Sequence, residues 1–147
     1  MKNISKKLPS GAELYITMAS FEVGHRLLKA VMKEAETINI NFGANAKSFK
    51  DFAELDVNDT TINTLKNIVA RLISSDLIEN VAWECMAYAT YNKVKIVKEN
   101  NVFDEPSARG DYLIVVKEVM IFNLLPFSQS LGSLFTDMLG SNTESLK

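Results

Sequence analysis

Apolar and polar positions alternate with a period of two near the N-terminus and recur at helical spacing through most of the remaining chain. Leu14, Ile16 and Met18 alternate with Glu13, Tyr15 and Thr17, which predicts a strand with one buried face. Upstream, Ile4, Lys6 and Leu8 offer a second, weaker strand, and Pro9-Ser10-Gly11 supplies the turn that makes the two a hairpin. A lone hairpin is marginal in water, so this one must lean on helices or on another subunit.

Ser20 is a good N-cap, and behind it Phe21, Gly24, Leu28, Val31, Met32 and Ala35 repeat at helical spacing, predicting a helix over residues 21–36. Ile38, Ile40 and Phe42 then alternate with asparagines as a short strand or extended connector, and residues 47–55 hold a helical turn around Phe49 and Phe52. A second amphipathic helix carries Ile62, Leu65, Ile68, Val69, Leu72 and Ile73. Ser75-Asp76 interrupts it and caps a third, with Leu77, Ile78, Val81, Ala82, Cys85 and Met86 on its apolar side. Tyr91-Asn92 closes that helix. Val94 to Ile96 reads as a short extended piece, and residues 100–109, polar and containing Pro106, read as a loop. Asp111, after Gly110, can cap a helix running to Leu125, where Pro126 forces a stop or kink. Phe127, Leu131, Leu134, Phe135 and Met138 form a last amphipathic helix, and residues 140–147 have little to bury and should fray.

The expected architecture is α+β and mainly α: a β-hairpin over residues 1–18 packed on a bundle of about five helices over residues 20–139. Together they make one globular domain, followed by a flexible tail. The length of 147 residues fits that reading and, by size alone, lets the chain hide roughly 68–70% of its unfolded surface without disulfides or metal. The lone Cys85 excludes an intramolecular disulfide framework and fits a reducing compartment. With 16 basic against 18 acidic side chains, and only Lys2, Lys6 and Lys7 clustered, no nucleic-acid footprint is expected. The basic start lacks the apolar core of a signal peptide, since Leu8-Pro9-Ser10-Gly11 is a turn, so the chain is expected to stay in the cytoplasm.

Charge is unevenly spread, and this changes the picture most. From Val119 to the end of the sequence the only charged side chains are Asp137, Glu144 and Lys147. Pro126 with Ser128, Gln129 and Ser130 splits the apolar run into two pieces, each short of the roughly 20 residues that span a bilayer, so no membrane insertion is expected. The plainer reading is two core helices; the sharper one is a surface meant for a partner.

Candidate chemistry is sparse. The six glycines stand apart, and neither phosphate-cradling spacing nor HExxH nor CxxC occurs. His25 has no nominated nucleophile or orienting partner and reads as a surface or half-buried structural side chain. Cys85 reads as a small buried hydrophobe, and Trp83 as a packing or interface residue. Glu54, Asp56 and Asp59 lack the glycine and spacing of a calcium loop and read as solvated charges before a helix. Asp104, Glu105, Arg109 and Asp111 read as a local ion-pair network. No cofactor, no metal and no enzymatic activity are expected.

Leu8-Pro9-Ser10-Gly11 leading into a strand, then Gly110-Asp111-Tyr112, Lys117-Glu118-Val119 and Asn123-Leu124-Leu125-Pro126-Phe127 occur in that order. This order resembles the tail assembly chaperones of long-tailed bacteriophages and related prophages. The resemblance covers most of the chain in layout, and its quotable residues lie at the two ends. It implies a protein that binds the long helical tape-measure protein in the host cytoplasm before tail tube subunits polymerise around it, and that is absent from the finished virion. Many members have a frameshifted longer product that recruits tube subunits, and Ser145-Leu146-Lys147 is compatible with a slippery codon run.

Holding such a client requires apolar surface that accepts helices without fixed register, and flexible methionines such as Met86, Met120 and Met138 suit it. The expected partner-binding residues are Val119, Met120, Phe122, Leu125, Phe127, Leu131, Leu134, Phe135 and Met138, within the segment 119–139. The hairpin edge and this apolar segment also lead us to expect a homo-oligomer. The competing reading is a structural tail or head–tail component retained in the virion.

Overall fold

A computed structural model describes residues 2–35 and 72–127. Among them are four strands, β1 (Asn3–Lys7), β2 (Glu13–Thr17), β3 (Ala89–Tyr91) and β4 (Val94–Lys95), and three α-helices, α1 (Phe21–Ala35), α2 (Asp76–Met86) and α3 (Pro106–Leu124). Short 3-10 turns cover Lys98–Asn100 and Leu125–Phe127. The strands form one antiparallel sheet in the order β1-β2-β3-β4. The expected hairpin on a bundle of about five helices is therefore incorrect: three helices share the described residues with a four-stranded sheet.

The hairpin forms with Ile4 opposite Ile16 and Lys6 opposite Leu14. Its turn is closed by the Gly11 N–H donating to the Leu8 carbonyl (2.8 Å) and the Leu8 N–H donating to the Ala12 carbonyl (2.8 Å). Pro9 sits where its fixed φ favours a turn, and Gly11 takes the left-handed position at φ +93°. Leu14, Ile16, Ala89 and Tyr91 are buried on one face of the sheet, while Tyr15 lies open on the other. One face is packed and the other solvated, as antiparallel sheets permit.

Two misread segments account for the correction. Tyr91-Asn92 does not end a helix. Helix α2 stops at Met86, and Ala89–Tyr91 pairs with β2 and β4. Asn92 and Lys93, at φ 49° and 69°, make a two-residue hairpin turn of the kind that matches strand twist. The extended piece expected from Val94 to Ile96 holds β4, whereas β3, with three residues, carries too few positions for its alternation to be legible. The loop expected over residues 100–109 is likewise cut short, because Pro106 opens α3 at its first turn, where its missing N–H costs nothing. Asp111 consequently does not cap the helix; it lies inside it and is buried.

Other signals were read as the fold uses them. Ser20 and Ser75 accept from the Val23 and Ile78 amides (3.4 and 3.3 Å) at the starts of α1 and α2. Pro126 lies in the 3-10 turn that ends α3. Helix α1 packs on α2, α2 on α3, and α3 on the inner face of the sheet. Arg26 ties the first two together, reaching Glu22 of its own helix (3.0 Å) and Glu84 of α2 (2.6 Å). The elements expected around Ile38–Phe42, Phe49–Phe52 and Ile62–Val69, the helix from Leu131 to Met138, and the acidic residues Glu54, Asp56 and Asp59 lie outside the described residues.

Two glycines test this backbone in opposite directions. Neither has an atom within 4 Å of where a Cβ would stand, so only conformation decides. Gly11→Ala should lower stability by about 1–3 kcal/mol, because alanine resists the left-handed turn. Gly110→Ala, in an exposed part of α3, should raise it by roughly 0.5–1 kcal/mol. Urea unfolding of the two variants measures both, and equal signs would contradict the assigned turn and helix.

Candidate functional site

The residues that carry the family resemblance lie at opposite ends of the sequence and meet along one seam between the hairpin and α3. At the turn, the Ser10 hydroxyl donates to the Asp111 carboxylate, which also accepts from the Tyr91 hydroxyl (2.7 Å). Ser10 Oγ in turn accepts from the Ala12 amide (3.3 Å). Two helical turns further on, Glu118 accepts an ion pair from Lys6 (2.7 Å). At the open end of the hairpin, the Asn123 side-chain oxygen accepts from the Ala19 amide (3.0 Å) while its nitrogen donates to the Val119 carbonyl (2.9 Å). Phe127 closes the seam by resting on Gly24, 3.6 Å from where a Cβ would stand.

The spacing follows from element geometry. Asp111 to Asn123 spans about 18 Å along a helix, close to the roughly 17 Å of strand from the turn to Ile4. One polar side chain per one or two turns of α3 therefore meets successive points along the hairpin. Asp111, Glu118 and Asn123 are the buried polar side chains among the described residues, and each has its partner. A buried carboxylate without one would cost several kcal/mol.

Tyr112, next to Asp111, faces α2. Its hydroxyl donates to Glu79 (2.7 Å) and accepts from the Trp83 indole N–H (3.0 Å). Phe103 packs edge-on against Trp83, Tyr91 and Tyr112 with ring centroids 5.0–6.0 Å apart. Lys98 lies over the Trp83 ring at 5.2 Å. Burial, and then the bond to Glu79, push the Tyr112 phenol up to about 12. Burial also raises the Tyr91 phenol, with Asp111 holding the proton further.

Reactive chemistry finds little support in this arrangement. Cys85 is fully buried, and burial pushes its thiol up to about 12, so the nucleophilic thiolate is scarce at neutral pH. His25 is half-buried and stacks on Phe21 with centroids 5.3 Å apart. The expected ion-pair network around Asp104, Glu105, Arg109 and Asp111 does not form. Arg109 donates to the Phe103 carbonyl (3.1 Å), and Asp111 turns inward to Ser10 and Tyr91. Among the described residues no three His, Cys, Asp or Glu side chains converge as a metal site, and no helix is long and apolar enough to cross a membrane.

The expected partner-binding residues divide into three groups. Val119 and Met120 are fully buried, so they build the core and are closed to a partner; Met86 is the same. Phe122, Leu125 and Phe127 are half-buried along the rim of the seam. Leu131, Leu134, Phe135 and Met138 lie outside the described residues. The rim holds two apolar grooves. One of about 250 Å³ is lined by Met18, Phe21, Gly24, Pro126 and Phe127, and one of about 120 Å³ by Ile4, Ile121, Phe122 and Leu125 with the Lys6–Glu118 pair in its wall. Phe21, placed on the buried stripe of α1 by its spacing, is instead 71% exposed and leans on Phe127.

Sequence reasoning missed Lys6–Glu118, although a signal was present. Alternation places Lys6 on the same face as Ile4 and Leu8, and Glu118 interrupts an apolar run on α3. An inward cation in one element and a stranded anion in another ask for each other.

Lys6→Met or Glu118→Met alone should destabilise by about 1–3 kcal/mol, less than a fully buried pair because Lys6 is part-exposed, and the double variant should recover most of the loss. A double-mutant cycle in urea measures this. Tyr112 makes a separate prediction. Its folded pKa lies above its unfolded value near 10, so the stability it contributes is complete below pH 10 and falls as pH rises toward about 12. Tyr112→Phe should flatten alkaline unfolding in that window, read by circular dichroism.

Compared with models of known protein families, with curated proteins and with solved structures, the chain matches none.

Proposed function

We propose that the chain is a tail assembly chaperone of a long-tailed phage or prophage, which binds and solubilises the tape-measure protein in the host cytoplasm during tail morphogenesis. The observation that supports this reading is the seam. Ser10 of the Leu8-Pro9-Ser10-Gly11 turn bonds to Asp111 of the Asp-Tyr stretch across 101 residues of sequence. Asn123 of the Asn-x-x-Pro-Phe stretch accepts from the Ala19 main chain, at the far end of the hairpin, across 104. These stretches carry the resemblance, and they act together as the frame that holds an apolar rim.

The client surface we propose is narrower than the segment 119–139. Phe122, Leu125 and Phe127 are retained, Phe21 is added, and Val119 and Met120 are removed because they fill the core. A helix laid along this rim would bury exposed aromatic edges in grooves that already exist, the usual mode for recognising amphipathic helices. Tail tube protein is the further partner that the resemblance implies, and no catalytic step is required of any residue.

Co-expression with the tape-measure protein encoded in the same phage should yield a soluble complex, and mass spectrometry of purified particles should not find this chain. Stoichiometric recovery from particles would favour a structural tail or head–tail component instead. Phe21→Glu should weaken the complex by roughly tenfold or more, as for an interface anchor, with little change in stability because the ring is mostly exposed. Undiminished binding by Phe21→Glu together with Phe127→Glu would remove the rim as the client site.

A further inference from the structure

The groove of about 250 Å³ beside Phe21 has apolar walls and no charged side chain. Its polar residues are already engaged. The Ser20 hydroxyl accepts from the Val23 amide, and the Asn123 side chain holds the Ala19 amide and the Val119 carbonyl. Its volume falls below the roughly 300–1,000 Å³ of small-molecule sites, so it suits apolar side chains presented by protein rather than a cofactor. Among the described residues nothing covers it, and Phe21 stands 71% exposed at its edge. An apolar surface laid over ring and groove together would remove both from water.

The chain supplies such a surface next in sequence. Pro126 and Phe127 form one wall of the groove, and the chain runs on from there through Ser128, Gln129 and Ser130. Leu131, Leu134, Phe135 and Met138 then fall on one stripe at helical spacing. Four residues carry a chain at most about 14 Å, so Leu131 stays close to Phe127. Asp137 is the one charged residue from Ser128 to Thr143, and helical spacing puts it off the stripe, so a neutral face follows a neutral groove. A stretch this short is below the roughly 12–15 residues that an isolated helix needs in water, and it requires an apolar surface to form against. Residues 36–71, the other candidate from this chain, depart from the far end of α1, about 21 Å along the helix from Phe21.

We infer that residues 131–138 dock on the Phe21–Phe127 groove of their own chain through Leu131, Leu134, Phe135 and Met138, and that a helical client reaches the rim only by displacing them. The docking stands on the groove and on the sequence that follows it; the competition rests on the function proposed above. A short tether holds its segment at millimolar effective concentration. A client at micromolar concentration must therefore bind roughly a thousandfold more tightly than the segment to compete evenly. The groove is thereby closed to weakly binding apolar segments.

A nitroxide on Ser133→Cys, a position opposite the stripe at helical spacing, tests the docking in the full chain by NMR. Cys85 is fully buried with its thiol pushed up to about 12, so it does not compete for the label. The Phe21, Val23 and Gly24 amides should broaden, and those of Ser10 and Gly11, at the closed end of the hairpin, should not. Leu134→Glu with Phe135→Glu should abolish the broadening, as should Phe21→Glu, which leaves the segment intact. A synthetic peptide of residues 128–139 should bind the Leu134→Glu, Phe135→Glu variant at least roughly fivefold more tightly than the unaltered chain, whose groove is occupied. The tape-measure protein should bind that variant roughly five- to tenfold more tightly as well.

Absence of broadening at the groove overturns the docking, as does broadening that survives both sets of substitutions. Broadening of an isotope-labelled, nitroxide-free chain mixed with nitroxide-bearing chain would assign the groove to a second copy and overturn it equally. Equal affinity of the tape-measure protein for both forms overturns the competition. If that protein binds neither form, the proposed function fails while the broadening still decides the docking.

Discussion

A cation on the inner face of a strand must find an anion or force the strand away from the core, and Lys6 sets that condition for the whole fold. Glu118 meets it at 2.7 Å, and this anchors the middle of the hairpin to the middle of α3. With that point fixed, the pairings on either side follow: Ser10 and Tyr91 reach Asp111 at the turn, and Ala19 reaches Asn123 at the open end. A slip of β1 by one residue would turn Ile4 out of the core and bring Asn3 and Ser5 in. Polar contacts of modest individual energy thereby specify one arrangement, while Leu14, Ile16, Val115, Val116 and Val119 supply the apolar area that stabilises it.

What the sequence made legible depends on how many positions each element offers. The hairpin has five residues per strand and a Pro-Ser-Gly turn, enough for alternation and turn chemistry to agree. Helices α1 and α2 offered serine caps and apolar stripes, and both lie where those signals put them. Val94 to Ile96 was read as extended and holds β4, but β3 offered three residues and the turn between them used Asn92-Lys93 rather than a glycine pair. Pro106 was read as a breaker when it was a helix start, a choice that only the residues after it could decide.

The candidate site was legible in a different way. Its residues were visible as an ordered set at the two ends of the chain, but not their pairing, since hydrogen bonds across a hundred residues leave no local periodicity. The apolar run in α3 was legible as a run but not its division: burial sets Val119 and Met120, which fill the core, apart from Phe122 and Leu125, which are half-buried. Phe21 went the other way: its spacing matched the stripe, yet Phe127 occupies the space over Gly24 beside it.

The connection between β2 and β3 has a consequence for how the protein comes into being. These strands are neighbours in the sheet, yet both α1 and α2 lie between them in the chain. During synthesis the hairpin emerges first with its apolar face uncovered. Asp111 follows Ser10 by 101 residues, a wait of roughly 5–20 s at ordinary translation rates. Lys6 spends that interval unpaired, and an unpaired inward lysine is what keeps a bare strand edge from joining another nascent chain. The side chain that later locks the fold thus guards it before the fold exists.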